Sequence, residues 1–69
     1  MTKPKAEELH KYQVYYEGVV NGQRYVKSST GVEAKSPEEA KAHIETMLGK
    51  DERVIFIDSS SPGFQKLYY

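Results

Sequence analysis

The sequence predicts an α+β fold: an antiparallel three- to four-stranded sheet with one helix packed on one face, in the element order ββαβ(β). Three features carry that expectation. Asn21-Gly22 separates two runs with strand periodicity, Ser36-Pro37-Glu38-Glu39 opens an apolar stripe at helical spacing, and Val54-Ile55-Phe56-Ile57 follows it.

Tyr12 to Val20 alternates, with Tyr12, Val14 and Tyr16 on one side and Gln13, Tyr15 and Glu17 on the other. That is the pattern of a half-buried strand. Asn-Gly is the strongest short-range hairpin signal, and the second strand begins near Gln23, with its apolar residues Val26, Val32 and Ala34 at even positions. A two-residue loop of Asn21 and Gly22 sets Tyr16 against Lys27 and Glu17 against Val26, which mixes both faces. A three-residue loop, Val20-Asn21-Gly22, sets Tyr16 against Val26, Tyr12 against Thr30, Tyr15 against Lys27 and Glu17 against Tyr25. A slip of one residue turns every side chain over, so the cleaner pattern predicts the three-residue loop, a type I turn with Gly22 in a left-handed G1 bulge. Gly31 is a second expected irregularity, ahead of Val32, and Gly18 in mid-strand is read as a further bulge.

Ser36 to Glu39 is a capping box with proline at the first helical position. Ala40, His43, Ile44, Met47 and Leu48 form one helical stripe, and Gly49 is the expected left-handed terminator. The helix is therefore expected over Pro37 to Leu48, with His43 at the boundary of the core. Lys50-Asp51-Glu52 is a polar link. Arg53 to Asp58 is apolar on both parities, as in an interior strand, and Ser59 to Gly63 is a turn. Phe64 to Tyr69 is expected to return as a short fourth strand. The helix carries the chain back so that the third strand pairs with the first, giving sheet order 2-1-3 with the optional fourth strand beyond. Met1 to Lys11 is charged and is read as a tail, with a frayed helical turn after Pro4; residues 12–69 then form the single domain.

Sixty-nine residues make one domain with a thin core, since a chain of this length buries only about 60% of the surface its unfolded form exposes. There is no cysteine, so thiolate metal sites and disulfides are excluded and a reducing, cytoplasmic setting is expected. No run has the length and apolarity of a membrane span or signal peptide. Ten basic and ten acidic residues cancel, so the chain lacks both the positive field of sequence-independent nucleic-acid binding and the dense acidity of a DNA mimic.

No catalytic constellation emerges, and the chain is expected not to be an enzyme. Nucleophilic catalysis needs a nucleophile, a base and an orienting group. The serines cluster at 28–29 and 59–61, where strand ends and turns account for them, and the two histidines, His10 and His43, lie far apart in the chain. The histidines therefore lack metal-ligand spacing. Glu38 and Glu39 suit the first turn of a helix. The glycines are dispersed, with no phosphate-binding loop, and no cofactor is expected.

The eight aromatic residues, six of them tyrosine, are more than a small sheet hides, and tyrosine is favoured at protein interfaces. In the three-residue-loop register Tyr15, Tyr25 and Lys27 share the face away from the helix, with Arg24 reaching round the rim on its long stem. These four residues are the expected partner-binding set. The same basic and aromatic interleaving is also a single-strand stacking platform.

Val32-Glu33-Ala34-Lys35-Ser36-Pro37-Glu38-Glu39-Ala40, within the wider pattern from YQVYYEG to RVIFID, resembles the strand-to-helix segment of a family of small archaeal and eukaryotic large-subunit ribosomal proteins. It is also similar to the helix entry of the small RNA-polymerase inhibitor of short-tailed coliphages. Both resemblances cover about forty residues and imply strand-strand-helix-strand order and a non-enzymatic protein that binds a larger macromolecule. The expectation is thus a small regulatory protein that docks another protein through its open sheet face or an edge strand, with a phage or other mobile element as an origin in keeping with its size. The alternative is a ribosome- or RNA-associated accessory using the same face, and self-association as a homodimer is a third reading.

Overall fold

A computed structural model describes residues 9–69. Strand β1 runs His10–Val20, β2 Gln23–Ala34, helix α1 Pro37–Glu45, β3 Arg53–Asp58 and β4 Leu67–Tyr68. The strands form one antiparallel sheet in the order β2-β1-β3-β4, so the fold class and the strand order are as the sequence predicts. His10 and Lys11, expected in the tail, already pair with Ala34 and Glu33. The helical turn expected after Pro4 lies outside the described residues.

The hairpin departs from expectation. Val20 pairs directly with Gln23, and Asn21 and Gly22 both have positive φ, 51° and 79°, so the loop has two residues in a type I′ turn. There is no bulge at Gly22. The extra residue is accommodated at the other end of β2: Tyr12 pairs with Val32 but Val14 pairs with Ser29, leaving Thr30 and Gly31 opposite Gln13. Gly31, at φ 74°, takes the left-handed conformation that a side chain would strain. The reason is positional. Strand β3 pairs with β1 only from Gln13 to Glu17, so the turn-side arm of the hairpin is not fixed by the core, and the Asn-Gly turn sets its register. Where a face is buried, the bulge restores the parity and puts Val32 and Ala34 beside Tyr12 and Val14.

A second shift lies between β1 and β3. Tyr15 pairs with Phe56 and Tyr16 with Val54, so Ile55 is extra. Val54 and Ile57 therefore both reach the core, while Phe56 turns to the open side. Neither alternating set of this strand, Ile55 with Ile57 or Val54 with Phe56, keeps to one side of the sheet. Gly18 is not bulged: it pairs regularly with Tyr25, and that ring covers it so closely that an added Cβ would overlap the Tyr25 hydroxyl and ring.

Ser36 caps α1 as predicted, its Oγ accepting the Glu39 N–H at 3.2 Å, and the Glu39 carboxylate accepts the Lys35 N–H at 3.0 Å. The helix ends earlier than its stripe suggests. Met47 N–H donates to Ile44 O and Leu48 N–H to Glu45 O, three-residue closures that tighten the last turn. Gly49 is not left-handed, and its N–H donates to the Glu52 carboxylate at 2.8 Å. Only Ala40 and Ile44 of the stripe are buried; His43 is exposed rather than at the core boundary, and Met47 is 69% exposed. Tyr12, Val14, Ala34, Val54 and Ile57 complete the buried core beneath the helix, and Phe64 closes one end against the Tyr12 ring at 5.8 Å.

Two substitutions test this frame by urea denaturation. Gly31→Ala forces a Cβ into the left-handed region and is expected to cost about 1–2 kcal/mol. Ile57→Ala empties the centre of a thin core and is expected to cost about 2–5 kcal/mol, most of the stability of a domain this size.

Candidate interaction face of the sheet

The two-residue turn decides which side chains share the face away from α1. Directly opposed residues lie on the same side of a sheet, so Tyr15 shares its face with Ser28, Glu17 with Val26, and Val19 with Arg24. Phe56 joins Tyr15 from β3, and Tyr68 joins Phe56 from β4. The result is a row of aromatic residues across three adjacent strands. The Tyr15 and Phe56 rings stack at 4.2 Å with 17° between planes, and Phe56 meets Tyr68 at 5.3 Å. The Lys66 ammonium lies 5.4 Å from the Phe56 ring centre, within cation–π range. Tyr68 is 72% exposed.

Beside this row runs a second one of charge. The Glu17 carboxylate accepts from Arg24 through one oxygen and from Arg53 Nε through the other, the latter at 2.8 Å. Its side chain is 12% accessible, while those of Arg24 and Arg53 remain 72% and 68% accessible. Hydrogen bonds from Arg24 and then Arg53 hold the Glu17 carboxyl below the usual carboxylate range. One carboxylate thus orients two guanidinium groups that keep most of their surface for another partner. At the far end of the face, the Gly31 bulge borders a hollow of about 300 Å³ lined in part by Lys11, Tyr12, Gln13, Thr30 and Asp58.

The expected partner set is therefore divided. Tyr15 and Arg24 lie on the open face together, whereas Tyr25 and Lys27 lie on the side of α1, the reverse of the three-residue-loop assignment. Tyr25 covers Gly18 and donates its hydroxyl to Glu52, and the Lys27 ammonium sits 5.3 Å from the Tyr25 ring. Glu52 also accepts the Gly49 N–H, so this contact ties the hairpin arm to the loop between α1 and β3. The hydrogen bond to Glu52 raises the Tyr25 pKa, and the same bond, with that from Gly49, lowers that of Glu52. Sequence reasoning missed Arg53, Phe56, Lys66 and Tyr68. The readable signal was the unbroken apolar run at 54–57, which a bulge divides between two faces.

Among the described residues no group of three or more His, Asp or Glu is placed to hold a metal ion, and no helix is long and apolar enough to cross a membrane. No family model matches the chain, and neither a curated protein nor a solved structure matches it.

Both lowered carboxyls give stability that is present above their unfolded pKa and lost as pH falls through the folded one. The loss is expected below about pH 5. Glu17→Gln with Glu52→Gln should flatten the decline of thermal midpoint below that pH, measured by circular dichroism; an unchanged acid limb would remove these two groups as its source. On the alkaline side Tyr25, raised, contributes stability present below its unfolded pKa and lost as pH rises through the folded one.

Proposed function

We propose that this chain is a small non-enzymatic regulatory protein that docks another protein on the open face of its sheet. The observation that carries the reading is the juxtaposition of the Tyr15–Phe56–Tyr68 row with the Arg24–Glu17–Arg53 row. Tyrosine and arginine are enriched among the residues that dominate interface energetics. Tyrosine offers large apolar area with a polar tip at little side-chain entropy cost, and arginine a planar guanidinium that stacks and donates several hydrogen bonds. Here the rings hold one another in place and Glu17 holds the guanidinium groups, so part of the ordering cost of binding is already met before a partner arrives.

Support for protein over nucleic acid comes from the packing of the rings. Tyr15 stacks on Phe56 from β1, while Tyr68 and Lys66 lie against it from the β4 side. The Phe56 ring therefore offers edges rather than a flat stacking surface for a base. The cations of the face are also offset by Glu17 and Asp58 within a chain of zero formal charge, which weakens the phosphate attraction that drives nucleic-acid binding.

The test is affinity capture from the native host with mass spectrometry, alongside titration of a labelled single-stranded oligonucleotide at several salt concentrations. Tyr15→Ala and Tyr68→Ala are each expected to weaken capture of the partner by roughly tenfold or more, and Lys50→Ala, on the loop after α1, to leave it unchanged. Capture that is indifferent to both tyrosines overturns the reading. Oligonucleotide binding that falls steeply with salt replaces it with the RNA-associated alternative.

A further inference from the structure

A different surface, the outer edge of β2, carries a second and independent inference. Among the described residues strand β2, twelve residues long, pairs only with β1 and lies at the end of the sheet. A strand so placed presents a row of unpaired N–H and C=O groups. Which residues present them follows from the turn. In a two-residue hairpin the pair flanking the loop exchanges both main-chain bonds, and alternate pairs do so along the ladder. Gln23, Tyr25, Lys27 and Ser29 thus bond inward to β1, while Arg24, Val26 and Ser28 turn their peptide groups outward. Beyond the Gly31 bulge the outward residue is Glu33, since Val32 pairs with Tyr12.

We infer that this edge pairs with β2 of a second copy of the chain, antiparallel about a two-fold axis at Ser28. Charge complementarity and overlap select the occupant and the register together. With Ser28 opposite itself and the bulge counted as one position, the strands overlap along their whole length. Arg24 then faces Glu33 of the second copy and Tyr25 faces its Val32, each contact occurring twice. Facing residues share a side of the sheet throughout: Arg24 and Glu33 lie on the open side, Tyr25 and Val32 on the helix side. The outward peptide groups also meet, Arg24 with Glu33, Val26 with Thr30 and Ser28 with itself.

The neighbouring registers fail on charge. A shift of two residues one way sets Lys27 against Lys27; the other way it sets Arg24 against Lys35. Edge lysines and bulges are the usual devices against indiscriminate strand pairing. Here they disfavour both neighbouring registers, and the overlap along the whole strand favours the Ser28-centred one over more distant shifts.

The surface beside the edge fits the same arrangement. Strand β2 and α1 border a groove of about 640 Å³, whose lining includes Val32, Ala42, Ile44 and Met47. In the Ser28-centred register the Tyr25 backbone of the second copy runs past Val32, at the mouth of that groove, while its ring stays over Gly18 of its own chain. The two sheets then join into one of eight strands, and the open faces with their Tyr15–Phe56–Tyr68 rows lie on the same side.

The experiment is sedimentation equilibrium of the full chain from micromolar to millimolar concentration. Wild type is expected to pass from monomer to a dimer of twice the mass. Arg24→Glu alone and Glu33→Arg alone each place like charges opposite one another twice, and are expected to weaken the dimer roughly ten- to a hundredfold. An equimolar mixture of these two variants restores opposite charges at both contacts and is expected to dimerise as wild type does. This mixture separates a lost intermolecular contact from the loss of the Arg24–Glu17 pair, which the mixture does not repair. A chain monomeric at every concentration, leaving the edge to some other protein's strand, overturns the inference. So does a dimer that neither variant weakens, or a mixture of variants that stays monomeric.

Discussion

The helix buries only Ala40 and Ile44, and everything else in the fold is arranged so that one sheet face meets those two residues with a continuous apolar surface. Three strands must present Tyr12, Val14, Ala34, Val54 and Ile57 to the same side. Straight strands with this sequence would not, because Val54 and Ile57 differ in parity and the Asn-Gly turn brings β2 back with Val26 facing away from α1. Two register shifts, at Thr30–Gly31 and at Ile55, reconcile them. Each leaves local ladder geometry irregular, and each is repaid by apolar area removed from water at roughly 25 cal/mol per Å².

Those shifts also build the candidate interaction face. The one at Ile55 sends Phe56 to the open side, where it stacks between Tyr15 and Tyr68. The two-residue turn sends Arg24 there too, within reach of Glu17, which Arg53 approaches from the other neighbouring strand. The opposite face of the hairpin has a structural task instead: Tyr25 fills the space above Gly18 and reaches the loop after α1 through Glu52. The same geometry that closes the core thus separates residues that anchor the hairpin from residues free to meet another molecule.

Local signals and structure agree where the chain is decided locally. Ser36, Pro37 and Glu39 start the helix as read, because a capping box satisfies orphan N–H groups within one turn and needs no tertiary partner. They disagree where contacts between distant residues compete with local preference. The stripe through Met47 and Leu48 implied a longer helix, but the chain tightens there and binds Gly49 to Glu52, three residues on. Of the three residues expected on the open face only Tyr15 is there; Tyr25 and Lys27 lie on the other side, and Arg24, expected to reach in from the rim, lies on the face itself, because the assumed hairpin register was one residue off.

The sequence by itself determined the strands, the capped helix, their antiparallel order and the place of the hairpin turn, though not its length, since periodicity, capping and turn chemistry are properties of a few neighbouring residues. Only the tertiary structure decided which side of the sheet each side chain occupies. Parity along a strand is counted from a turn, but it is reset by every bulge, and a bulge forms where the turn and the buried face demand different registers. That competition joins residues as distant as Gln13 and Gly31, or Tyr16 and Val54, and it is settled by the area buried beneath α1, a quantity with no local trace in the chain.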